Sequence, residues 1–131
     1  MIHKQILVAN RVRRPPRDGW SWIDRRFLRE RAGRLSHEAI LLYFFLAAVS
    51  DKDGLSFYGD ASIAVRLRMP EPAVVAARDE LVAEDLVAYR APLTQVLSLS
   101  RAIVERRNGG LVQFGEMLRT LVDSSAPDPR R

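Results

Sequence analysis

The sequence predicts a mainly helical domain with a small β-hairpin, an α+β fold. Three observations carry this. One strongly apolar helix, "SHEAILLYFFLAAVS", occupies the middle of the chain; two shorter helical patterns follow, separated by Met69-Pro70; and two β-prone runs then lie either side of a tight turn. Hydrophobic residues make up 47% of 131 residues, enough for one compact core with tails.

The elements follow in order. "KQILVA" (Lys4 to Ala9) is short, apolar and β-prone, and reads as a strand or as an extended segment docked on the core. Pro15 and Pro16 forbid helix after it, and Asp18-Gly19 marks a turn. In "WSWIDRRFLRERAGRL", Ile23 and Phe27 are helix-spaced, which predicts a short helix from about Ile23 to Arg31 that ends at Gly33. Ser36 is the expected N-cap of the apolar helix, and "DKDG" (Asp51 to Gly54) closes that helix with a turn. "LSFYG" (Leu55 to Gly59) is a short strand. Asp60 is expected to cap the helix "ASIAVRLRM", with Ile63, Ala64 and Leu67 inward. Pro70 is expected to start the third helix, where its missing N–H costs nothing, and Val74, Ala77, Leu81 and Val82 form the buried stripe. "LVAYRA" and "TQVLSL" make the hairpin around Ala91-Pro92-Leu93. "LVQFGEMLRTLV" (Leu111 to Val122) is an amphipathic helix that packs on the domain or dimerises it, and "SSAPDPRR" is a frayed tail.

Charge divides the chain. Residues 1–35 hold ten Lys/Arg against three Asp/Glu, residues 36–100 hold five against nine, and residues 101–131 hold six against four. The basic character therefore lies in an arm, and the middle is mildly acidic. A basic arm points to a polyanion, usually nucleic acid. The organisation expected is an arm with a short aromatic helix over 1–34, a folded domain over 35–100, and a C-terminal helix and tail over 101–131.

Helix, short strand, helix, turn, helix and hairpin is the order of a winged helix-turn-helix domain. The stretches "LSHEAILLYFFLAAVSDKDG", "ASIAVRLRM" and "VVAARDELVAEDLVAY" resemble, over about half the chain, such domains in bacterial transcription regulators and plasmid or phage replication initiators. "GWSWIDRRFLRERAGRLSHEA" resembles the lead-in of the initiator type. The resemblance implies a winged helix-turn-helix with a basic N-terminal arm and a C-terminal helix. It implies DNA binding in regulation or in replication of a mobile element. Two departures stand out. Asp85 occupies a turn position usually held by glycine. The third helix opens with Pro70-Glu71-Pro72-Ala73 where Ser or Thr followed by basic and polar residues is usual.

The expected nucleic-acid contacts are cations. Arg11, Arg13, Arg14 and Arg17 in the arm would neutralise phosphates, and Arg25, Arg26 and Arg29 would extend the patch; the alternative is a solvated tail and a helix whose arginines pair with the acidic core. Arg66 and Arg68 end the second helix, where these domains touch backbone, or are ordinary exposed arginines. Arg90, with Thr94 and Gln95, is the wing candidate. Trp20 and Trp22 either stack on bases or pack a helix onto the core, and packing is the expected reading. The third helix should expose Glu71, Pro72, Val75, Ala76 and Asp79, a poor set for reading base edges, while Arg78 turns toward rim or core. That face suits a protein partner instead, which keeps an adaptor role open.

Other chemistry is poorly represented. There are no cysteines, hence no disulfide, thiolate ligand or thiol nucleophile, in keeping with a reducing cytoplasm. The longest apolar run, Ala39 to Val49, is about half a membrane span, and the N-terminus lacks a signal-peptide pattern. His3 and His37 are isolated, and Asp51 and Asp53 lack the later ligands of a calcium loop. No enzyme, cofactor or metal is expected. DNA is the expected partner ahead of RNA, with a protein partner or a homodimer as further options.

Overall fold

The computed structural model describes residues 2–99, most of them in a compact unit, Met1–Leu97. The chain is mainly helical with a small antiparallel three-stranded sheet. The elements are α1 (His37–Val49), β1 (Leu55–Ser56), α2 (Asp60–Leu67), α3 (Glu71–Ala83), β2 (Val87–Arg90) and β3 (Leu93–Val96). Strand order is β1-β3-β2, with Leu55 opposite Gln95 and Tyr89 opposite Thr94. The expected C-terminal helix, Leu111 to Val122, lies outside the described residues.

Ser36 caps α1 as expected, its side chain accepting from the Ala39 amide. A second partner was not visible in the sequence. The Glu80 carboxylate of α3 accepts from the Ser36 amide at 2.9 Å and from its hydroxyl at 2.6 Å. The cap thereby ties the start of α1 to α3. Ala39, Leu42, Tyr43, Leu46 and Ala47 bury the central face of α1. They meet Val74, Ala77 and Leu81 of α3 and Ile63 and Ala64 of α2 in one core, in which α1 packs chiefly on α3. Burial pushes the Tyr43 phenol above its ordinary value.

The "DKDG" turn holds the sheet to α1. The Asp51 carboxylate accepts from the amides of Asp53 and Leu55, both at 2.9 Å, which draws its pKa below the ordinary value. Gly54 has φ +85°, and a Cβ there would lie 2.5 Å from the Val96 carbonyl oxygen. Only glycine fits this approach of β3.

Several boundaries differ from expectation. Lys4 to Ala9 is neither strand nor docked: Ile6, Leu7 and Val8 are exposed, and the chain makes one 3-10 turn at Ala9–Arg11. The helix expected from Ile23 starts later, as a π-helical turn over Phe27–Arg31 and then a 3-10 turn over Ala32–Arg34. Gly33 lies inside that second turn and is no helix cap. Phe27 anchors the segment, stacked on Tyr43 at 3.9 Å and edge-on to Phe44 at 5.7 Å. The N-cap of α2 is Gly59, because the Asp60 carboxylate is engaged by Arg78. Arg68 ends α2 in the left-handed region, with φ 58°. Pro70 is the N-cap of α3, and Pro72 takes the first-turn position that needs no N–H. Within α3, Val74, Ala77 and Leu81 are buried as expected and Arg78 turns into the core, but Val82, expected in the buried stripe, is exposed.

Candidate nucleic-acid interface

The arm reaches solvent because its sequence leaves it no partner. Pro15 and Pro16 remove two backbone donors, so neither helix nor ladder can form there. Without a helix, no i,i+4 acid can neutralise the arginines. Arg11, Arg13, Arg14 and Arg17 are all exposed and make no ion pair among the described residues. Gly19, at φ +108°, donates to the Pro16 carbonyl and closes the expected turn. The chain then meets the domain at Ser21, whose hydroxyl donates to the Ala47 carbonyl near the end of α1.

Past the turn the cations divide. Arg26 grips Asp24 with its Nη2 2.7 Å from Oδ2 and its Nε 3.1 Å from Oδ1. Hydrogen bonding from Arg26 draws the Asp24 carboxyl down to about 2. This pair is locally neutral, so Arg26 adds little to a phosphate-binding patch. Arg25 and Arg29 are exposed. Arg31 is buried and donates to the Glu84 carbonyl at 3.2 Å, and Arg34 lies 3.6 Å from the Glu84 carboxylate. The last part of the segment therefore does pair with the acidic domain, while the first part does not.

Trp20 and Trp22 do not pack the segment onto the core. They are 64% and 71% exposed, and neither ring meets another aromatic ring among the described residues. Phe27 performs the packing role instead. The backbone from Trp20 to Asp24 is non-helical, which removes the helical phase that would have turned both indoles inward.

On the folded domain, Arg66 lies 5.4 Å from the Tyr58 ring centroid, with its Nε 3.4 Å from the Ser62 hydroxyl. Its head remains exposed, as does that of Arg68. Arg90 is exposed at the end of β2, and Gln95 is exposed on β3, whereas Thr94 is buried and drops out as a wing contact. Asp85 adopts φ 61°, the left-handed turn that its position between α3 and β2 requires.

The outer face of α3 carries Glu71, Pro72, Val75, Ala76 and Asp79, all exposed. Its one long cation is turned inward. Arg78 is ion-paired with Asp60, and its guanidinium lies 4.0 Å from the Tyr89 ring centroid. This clamp of α2, α3 and β2 was missed in the sequence, where Asp60 and Arg78 stand 18 residues apart. Only the helical phase of Arg78 hinted at it.

Among the described residues, no group of three or more His, Cys, Asp or Glu side chains could hold a metal ion, and no helix is long and apolar enough to cross a membrane. Comparison of the chain with protein-family models, with characterised proteins and with solved structures gave no match.

Proposed function

We propose that the chain is a non-enzymatic, cytoplasmic DNA-binding protein of winged-helix type, acting in regulation or in replication initiation of a mobile element. The element order, with β1 joining the hairpin in the order β1-β3-β2, supports the winged-helix reading. One observation carries the function: Arg11, Arg13, Arg14 and Arg17 are exposed and make no ion pair among the described residues, on a segment whose apolar residues Ile6, Leu7 and Val8 are also exposed. Cations free of protein partners bind phosphates by releasing counterions, without regard to sequence. Arg25, Arg29, Arg66, Arg68 and Arg90 add exposed charge. α3 contributes no base-reading donor, so affinity rests on phosphates.

The test is fluorescence anisotropy of a labelled random-sequence duplex over a salt series, for the full chain and for a chain lacking residues 1–17. Micromolar binding with a steep salt slope that collapses without the arm is the expected result. No binding at low salt would sink the proposal. A second reading, an adaptor that docks a protein on α3, is favoured by the acidic and apolar face of Glu71, Val75, Ala76 and Asp79. In that case a chain carrying Val75→Arg would lose a partner while its duplex binding stayed unchanged.

A further inference from the structure

We infer that Trp20 and Trp22 form a stacking site for consecutive bases of a single-stranded nucleic acid, with Arg17 and Arg25 beside them for its phosphates. This rests on the nucleic-acid reading above and narrows it to a strand type.

The geometry begins at Ser21. Its hydroxyl is held by the Ala47 carbonyl, so this side chain faces the domain. The backbone here is neither helix nor strand, and the two flanking indoles reach solvent, 64% and 71% exposed. Two residues of chain span at most about 7 Å, so the two indoles lie within reach of neighbouring bases of a strand that has been pulled open, whereas a duplex offers them no free base face. Every base presents a π-face, so such a site tolerates sequence, as the phosphate contacts do.

Charge flanks the rings evenly. Arg17 precedes Trp20 by three residues, and Arg25 follows Trp22 by three. Both are exposed, and neither has an ion pair among the described residues. Asp24 stands between Trp22 and Arg25, but Arg26 neutralises it. The Ser21 hydrogen bond to Ala47 and the stacking of Phe27 on Tyr43 tie this segment to the folded domain. Two exposed indoles on a fixed segment lose little conformational freedom when a base arrives, and each has only two side-chain torsions to order.

Tryptophans among arginines also suit an anionic lipid surface. The even flanking of the two indoles by cations in the chain favours the strand, and the experiment separates the two. Tryptophan emission of the full chain is titrated with a dT oligonucleotide, with a duplex of equal length, and with vesicles of anionic and neutral lipid. The expected result is quenching by the oligonucleotide, weaker quenching by the duplex, and tighter binding of the single strand. Trp20→Ala and Trp22→Ala should each weaken single-strand binding roughly five- to a hundredfold and leave the salt-dependent duplex binding in place. Both residues are exposed, so the variants keep the fold. Equal affinity for strand and duplex with unchanged emission would overturn the stacking site while leaving arm-driven binding intact. A blue shift with anionic vesicles and none with oligonucleotide would also overturn it. Absence of any nucleic-acid binding would instead refute the reading on which it rests.

Discussion

The clamp between Asp60 and Arg78 makes a prediction whose two halves should differ in size. The Arg78 side chain is 6% exposed, and that of Asp60 is 33% exposed. Changing Asp60→Ala strands a buried guanidinium, and breaking a buried pair in this way costs about 3–5 kcal/mol. The Tyr89 ring, 4.0 Å away, still faces the cation and retains about 1 kcal/mol of stabilisation. The expected cost is therefore about 3 kcal/mol. Changing Arg78→Met leaves a carboxylate that water reaches, in the first turn of α2, where a helix dipole favours negative charge. That loss should be about 1–2 kcal/mol. The double variant should cost less than the sum, because no unpaired buried charge remains. Urea denaturation of the four proteins gives the cycle directly, read at equal slopes. Equal single costs, or an additive double variant, would refute the claim that burial of the guanidinium sets the energetics.

Gly54→Ala should destabilise by at least about 2 kcal/mol, from the left-handed backbone of a non-glycine residue plus the carbonyl contact from β3; a thermal midpoint equal to the parent's would contradict this. Arg13→Ala and Arg14→Ala should each lower the slope of log affinity against log salt by nearly one unit, measured by anisotropy on duplex, whereas Arg26→Ala should change it little because Asp24 already neutralises that charge. The carboxyl of Asp51 is held below its ordinary value of 3.8, so its stabilisation is present above that pH and is lost as pH falls below it. Asp51→Asn keeps the acceptor but not the charge. The advantage of the parent over this variant should shrink in thermal melts between pH 6 and pH 2, and an advantage constant over that range would exclude the carboxylate as its source.

What the sequence disclosed depended on how local the cause was. The Ser36 cap, α1, the "DKDG" turn and the hairpin follow from contacts within a few residues, and all were legible. The left-handed Asp85 was legible because the turn allows few residue types. The capping residue of α2 was misplaced because Asp60 has a better partner 18 residues away. The Ile23–Phe27 spacing suggested an inward Trp20 and Trp22, but the backbone is non-helical through Asp24, whose carboxylate accepts from the Arg26 amide, and the helical turn starts only after it. The candidate site was legible in part for the same reason. Exposure of the arm follows from its prolines, while the loss of Arg26 to Asp24 and of Arg78 to Asp60 follows from folding.

The Ser21 anchor has one more consequence, which is a matter of length. Arg17 stands four residues before the anchor and Arg11 stands ten before it. At no more than about 3.3 Å per residue, and less where the Gly19 turn folds the chain back, the four arginines have outer limits of reach from roughly 13 Å to roughly 33 Å around the end of α1. The larger radius is close to one turn of a B-form duplex, about 34 Å. Under the proposed function, a chain seated by its domain at one place would have an outer reach to phosphates up to a full turn away, so its footprint would be set by the tether and not by the width of the folded body.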